Sequence, residues 1–327
     1  MSLPQNNITK PHIVFLDRAT IPPQIKLPQL QFEHDWIEYD YTSAEEVESR
    51  LVDADIVITN KVVLTAELLA KFPNIKMIAV SATGTNNLDI EYCQSAGIAV
   101  TNIQGYATRS VPEHVIAMLF ALRRNLIGYH QDIQKGEWQR NKQFCFFTHP
   151  IGDVAGSTIG IIGSGALGQA TATLATAIGM KVLFAERKGA TTVRDGYLPF
   201  DTVLEQSDVL TLHCPLTAET KNLISSDEFA QMKSSAILIN AGRGGLVDEK
   251  ALITALKCGE LSGAGVDVFT EEPAGDSNPL IANMDLPNLL LTPHVAWGSD
   301  SAIQRLADIL GENIEAFVAG RMQNRVV

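Results

Sequence analysis

The stretch Ser157-Thr-Ile-Gly-Ile-Ile-Gly-Ser-Gly-Ala-Leu-Gly168 decides how this chain folds. Ile159 to Ile162 form a short apolar run that reads as a buried strand. Gly163, Gly165 and Gly168 follow at GxGxxG spacing, and Gln169 to Ile178 then read as a helix. A second apolar run, Lys181 to Ala185, ends on Glu186, 18 residues beyond Gly168. Gly163 permits the tight turn, Gly165 lets the backbone approach a pyrophosphate, and Gly168 lets helix pack closely on strand. The helix start offers unpaired N–H groups and a positive dipole end to phosphates. Glu186 stands where a carboxylate accepts hydrogen bonds from ribose hydroxyls. Strand, glycines, helix, second strand and acid, in that order, predict dinucleotide binding.

Outward from this motif, short apolar runs alternate with helix-like stretches, the pattern of an α/β fold with parallel sheets. Before it, strands are predicted at His12–Leu16, Ile56–Thr59, Met77–Val80 and Ala99–Thr101, with helices at Ala44–Leu51 and Thr65–Lys71. Pro112 is expected to open a long amphipathic helix that ends near Arg123 and Arg124. After the motif, strands are predicted at Val209–His213, Ala236–Asn240, Gly263–Asp267 and Leu289–Thr292, and a final helix spans Ser299 to Gly320. The segment Gly136–Pro150, with Trp138, Phe144, Phe146 and Phe147, shows no period.

The totals bound the function. A chain of 327 residues, 46% hydrophobic, supports two buried cores. Its formal charge of −12 argues against nucleic acid and against an anionic membrane as partner. An anionic substrate would need a local cationic site. Cys93, Cys145, Cys214 and Cys258 lack CxxC or metal-ligand spacing and fit free thiols in a reducing, cytoplasmic compartment, with no metal implied. Met1 to Asn7 show neither a basic nor an apolar region of a secretory signal, and no apolar run approaches a membrane span.

In open α/β sheets ligands sit outside the carboxyl ends of strands, so the residues just past each apolar run are the candidates for chemistry. Arg243, on the glycine-rich stretch after Asn240, suits the bidentate holding of a carboxylate. Glu272 follows the strand that ends at Asp267, and His294 follows Leu289-Leu-Leu-Thr-Pro. Taken singly these are ordinarily an arginine paired with a surface acid, a solvated acidic turn and a structural histidine. Together, at one sheet edge beside a nicotinamide, they suit hydride transfer coupled to proton transfer at a carbon bearing oxygen. Histidine serves both directions, and a neighbouring carboxylate orients it and favours its protonated form. The loop Ser81–Asp89 is either an anion nest at Thr83 and Gly84 or an ordinary polar turn.

Six ordered motifs then point to one family. Ser81–Asp89, Gly163–Gly168, Leu212–Thr220, Asn240–Asp248, Gly265–Pro273 and Thr292-Pro-His-Val-Ala-Trp297 resemble those of the D-isomer-specific 2-hydroxyacid dehydrogenases over essentially the whole chain. The last stretch looks most like bacterial glycerate dehydrogenases, which reduce hydroxypyruvate. The resemblance implies two doubly wound parallel-sheet domains with a cleft between. One is a Rossmann dinucleotide-binding domain at 105–296, the other a smaller flavodoxin-like substrate domain at 1–104 plus 297–327. It implies a homodimer, a small 2-keto or 2-hydroxy acid as substrate, and His294, Glu272 and Arg243 as proton donor, its carboxylate partner and the substrate binder. Thr83 and Gly84 match the backbone that holds the substrate carboxylate. Ala166 and Leu167 match the turn over the pyrophosphate. Cys214, Thr220, Ala241, Asp267 and Trp297 match positions lining the rest of the cofactor site. Glu186 repels a 2′-phosphate and favours NAD, while the adjacent Arg187 and Lys188 leave NADP open. Other D-2-hydroxyacid, phosphoglycerate or phosphite dehydrogenases, and a cofactor-gated corepressor-like binding protein, are the competing readings. The chain ends soon after the last helix, a poorer match to phosphoglycerate dehydrogenases with regulatory C-terminal domains.

Overall fold

Strands buried on both faces carry no polar alternation, and four of the five strands in the unit formed by Met1–Tyr106 and Ser299–Val327 follow that rule. The computed structural model describes residues 10–327, so the stretch Met1 to Asn7 read for a secretory signal lies outside the described residues. The strands are β1 (His12–Phe15), β2 (Asp35–Glu38), β3 (Ile56–Thr59), β4 (Met77–Val80) and β5 (Ala99–Thr101), connected in part by α1 (Val47–Leu51), α2 (Ala66–Leu69) and α3 (Ile90–Ala96). They form a parallel sheet in the order β2-β1-β3-β4-β5. β2 was not read from the sequence, because this edge strand is half exposed and has no apolar run. α3 also escaped periodicity. It is seven residues long and is marked by its caps instead: Asp89 accepts from the Tyr92 N–H at 2.9 Å, and Gly97 ends it with φ 72°.

The direction of the chain reverses across β1, between β2 and β3, which is where such sheets take ligands. Here Asp17, just past β1, fills the place. It is 4% exposed, and its carboxylate accepts from the backbone N–H groups of Asn60 (2.9 Å) and Lys61 (2.7 Å) beyond β3.

The second unit, Ala107–Gly298, opens with α4 (Ser110–Arg123), α5 (Leu126–Gln134) and α6 (Glu137–Asn141). α4 starts two residues before Pro112. The proline sits inside the first turn, where its missing N–H would have had no partner. The sheet comprises β6 (Thr158–Ile162), β7 (Lys181–Ala185), β8 (Val209–Leu212), β9 (Ile237–Asn240), β10 (Gly263–Val266) and β11 (Leu289–Leu291), all parallel, in the order β11-β10-β9-β8-β6-β7. α7 (Ala166–Ala177), α8 (Phe200–Gln206), α9 (Ser226–Gln231) and α10 (Glu249–Cys258) connect them. The core beneath includes Val203, Leu204, Leu210, Leu212, Leu238 and Ala264, all fully buried.

Register fixes where the site lies. Ala185 pairs with Ile162, Ile162 with Leu212, Leu212 with Asn240, Asn240 with Val266, and Val266 with Leu291. Glu186, Gly163, His213, Ala241, Asp267 and Thr292 therefore leave the sheet side by side along one edge.

α11 (Asp300–Val318) belongs to the first unit, where it packs on β4. Ser299 caps it by accepting from the Ala302 N–H. Its fully buried Asn313 donates to the Asn102 carbonyl at 3.0 Å. Among the described residues no helix is long and apolar enough to cross a membrane.

Candidate active site

The glycine turn is held by close backbone contact. A Cβ on Gly163, whose φ is 99°, would stand 2.5 Å from the Cys214 N. One on Gly168 would stand 2.0 Å from the Gly163 carbonyl oxygen. Gly165 differs, since a Cβ there would meet only open space. It is the N-cap of α7 and no side chain caps the helix, so the first-turn N–H groups, those of Ala166 and Leu167 among them, open outward. An unfilled approach over an uncapped helix start fits a dinucleotide pyrophosphate. Ala241 is buried beneath the edge. Thr220 pins its own loop, accepting from the Thr217 N–H and donating to the Pro215 carbonyl, both at 2.7 Å.

His294 and Glu272 meet directly. Nδ1 of His294 lies 2.7 Å from Oε2 of Glu272, and Oε1 of the same carboxylate accepts from the Phe269 N–H at 3.0 Å. The bond orients the ring and leaves Nε2 without a hydrogen bond among the described residues. The backbone at His294 is left-handed, φ 54°, which costs a non-glycine residue on the order of 1–2 kcal/mol. Asp267 holds it there. Its carbonyl accepts from the His294 N–H at 2.7 Å, and its buried carboxylate accepts from the Thr292 hydroxyl and from the N–H groups of Val295 and Ala296. His114, on α4, adds a 3.0 Å bond to Thr292. Trp297 donates its indole N–H to the His294 carbonyl at 2.9 Å. Asp267 and Trp297, expected to line the cofactor, hold the loop that carries His294. Thr292 and His114 were missed, because their link is made between chain segments 178 residues apart.

Arg243 is exposed and makes no ion pair among the described residues, donating only to the Gly242 carbonyl at 2.7 Å. Its loop rests on the loop that carries Glu272: a Cβ on Gly244 would lie 1.7 Å from the Phe269 carbonyl oxygen. Thr83 and Gly84 belong to the other unit, where the Thr83 hydroxyl donates to the Ile103 carbonyl at 2.8 Å.

Glu186 departs from expectation. Its carboxylate is taken by Arg194, with Nε–Oε2 at 2.7 Å and Nη2–Oε1 at 2.9 Å, and by two backbone N–H groups. The Arg194 guanidinium holds its pKa down at about 2. The sequence offered no signal for this partner, since Arg194 lies in an aperiodic loop.

His213, beside Gly163, has a buried Nδ1 with no partner, and burial pushes its pKa down to about 4. The unfolded chain takes up this proton near pH 6.5, while the folded chain resists until about 4. Stability therefore falls as pH drops through that window, by on the order of 3 kcal/mol, and levels off below it. Urea unfolding at about pH 7 and about pH 4.5 checks this, with His213→Gln expected to lose less than the parent protein. Parallel losses in the two proteins would refute the burial effect.

Residues 116–296 match the model of the "D-isomer specific 2-hydroxyacid dehydrogenase, NAD binding domain". A putative 2-hydroxyacid dehydrogenase of Haemophilus influenzae is 52% identical, over 94% of this chain and 98% of that one. A glycerate dehydrogenase of Methylorubrum extorquens is 49% identical, over 96% and 98%. Among solved structures, the TT0316 protein of Thermus thermophilus superposes with a TM-score of 0.83 at 31% identity, covering 97% of this chain and 100% of that one. A Rossmann sheet with these matches defines an NAD-dependent oxidoreductase acting on CH–OH groups. The chain belongs to the D-isomer-specific 2-hydroxyacid dehydrogenases.

Proposed function

We propose that the chain reduces hydroxypyruvate or glyoxylate to D-glycerate or glycolate, with His294 as the proton donor. The observation that carries this reading is the 2.7 Å contact between His294 Nδ1 and Glu272, which leaves Nε2 as the open face of an oriented ring. When bound, NADH supplies the hydride. Nε2 of His294 gives its proton to the substrate carbonyl oxygen, and Glu272 supports the imidazolium that makes the transfer. Arg243 binds the substrate carboxylate through its planar fork and draws charge from the adjacent carbonyl. Hydroxypyruvate and glyoxylate are favoured over larger keto acids by the likeness to a relative named glycerate dehydrogenase.

A panel of 2-keto acids offered with NADH and NADPH tests the reading. Hydroxypyruvate and glyoxylate should give the highest kcat/KM. A clear preference for pyruvate or a phosphorylated keto acid would replace the substrate within the family. No turnover across the panel, with coenzyme binding intact, would leave a binding protein.

The same reading includes a homodimer in the cytoplasm. Support comes from Phe144 and Phe147, which are 90% and 79% exposed beyond α6, and from four free cysteines.

A further inference from the structure

We propose that Arg194, rather than Glu186, decides which coenzyme the chain accepts, and that the Arg194–Glu186 pair presents a cation to a ribose 2′-phosphate so that NADPH serves beside NADH. The inference rests on the reductase reading above, because it concerns the coenzyme of that same site.

A carboxylate at the end of the second Rossmann strand normally selects NAD by accepting from ribose hydroxyls and repelling a phosphate. Glu186 is not free to do either. It is 5% exposed, and its Oε1 accepts from the Arg187 N–H and Arg194 Nη2, both at 2.9 Å. Oε2 accepts from the Arg194 N–H at 3.1 Å and from its Nε at 2.7 Å. A carboxylate has about four acceptor positions, and all are occupied. Its charge is met by a guanidinium at hydrogen-bond distance.

Arg194, by contrast, keeps most of its capacity. Its side chain is 56% exposed, and only Nε and one Nη2 proton are spent on Glu186. Its guanidinium carbon stacks 3.9 Å from the centre of the Tyr197 ring, and the Tyr197 hydroxyl bonds Ser164 Oγ at 2.5 Å. Ser164 stands between Gly163 and Gly165, so this chain of contacts ties the guanidinium to the glycine turn. Arg187 is exposed and makes no side-chain bond among the described residues. Lys188 is paired with Glu228. Arg187 and Arg194 therefore both leave guanidinium donors exposed just past β7, while the one buried carboxylate there is already fully bonded. Planar guanidinium donors on the rim of such a site are what a phosphate monoester binds.

Calorimetric titration with NADH, NADPH, adenosine 5′-phosphate and adenosine 2′,5′-bisphosphate tests the assignment on the parent protein, Arg194→Ala and Arg194→Lys. The parent should bind NADPH within about tenfold of NADH, and Arg194→Ala should weaken NADPH and the bisphosphate by ~10–100-fold more than NADH and the monophosphate. Arg194→Lys should recover part of that difference, and if the alanine variant does not fold it carries the comparison alone. Equal losses for phosphorylated and unphosphorylated ligands would reduce Arg194 to a structural role and overturn the proposal. So would a parent protein with no measurable affinity for NADPH. The nucleotide titrations need no substrate, so a failure of the keto-acid panel leaves these ratios readable and the two readings fail separately.

Discussion

His294→Asn should fold, bind NADH with an affinity close to that of the parent, and turn over ~10²–10⁴-fold more slowly. Asparagine is the informative replacement because the position is left-handed, φ 54°, and asparagine adopts that backbone more readily than most residues. The fold therefore loses little, and the missing group is the acid. His294→Ala should show the same kinetic loss with a lower melting temperature. Glu272→Gln separates orientation from charge. It keeps an acceptor for Nδ1 but removes the negative partner, so its turnover should fall while NADH affinity stays near that of the parent. Normal turnover in His294→Asn would remove this residue from the chemistry.

The second large effect concerns two glycines three positions apart. Gly168→Ala should cost about 3 kcal/mol, at the upper end for overpacking, because its Cβ would fall 2.0 Å from the Gly163 carbonyl oxygen and backbone must move. Nucleotide affinity should fall with it, since the same turn carries both. Gly165→Ala should keep the parent melting temperature, its Cβ pointing into open space, yet weaken NADH binding where the pyrophosphate comes close. Thermal melts paired with NADH titrations distinguish the two. If Gly168→Ala melts and binds like the parent, close approach of α7 to β6 is not what this glycine provides.

The parts of this molecule that rest on neighbouring residues were open to sequence reading. Apolar runs such as Ile159–Ile162 and Ile237–Asn240 became strands, and the parallel α/β class followed from their alternation with helices. His294, Glu272 and Arg243 stand out as candidates because each lies within a few residues of a strand end, and the structure joins the first two by a 2.7 Å bond. Elements without a run were hidden: β2 carries Asp35 and Glu38 on an exposed edge, and α3 announces itself only through Asp89 and Gly97. Contacts between distant segments were hidden for another reason. Nothing near Glu186 tells that Arg194 folds back onto it, and nothing near Thr292 tells that His114 bonds it from the opposite end of the unit's sequence. Such partners are chosen by strand order, which a linear reading does not contain.

Strand order has one more effect, seen in the smaller sheet. Two sheets of the same winding each possess a natural harbour for a negatively charged ligand, at the strand where neighbours run off in opposite directions. One of these harbours ends on glycine and lies open. The other is moored to its own Asp17, whose carboxylate already draws the amides of Asn60 and Lys61. An internal acid there does the work that a visiting phosphate would do elsewhere, and a single chain built from two similar halves is left with one berth for a dinucleotide.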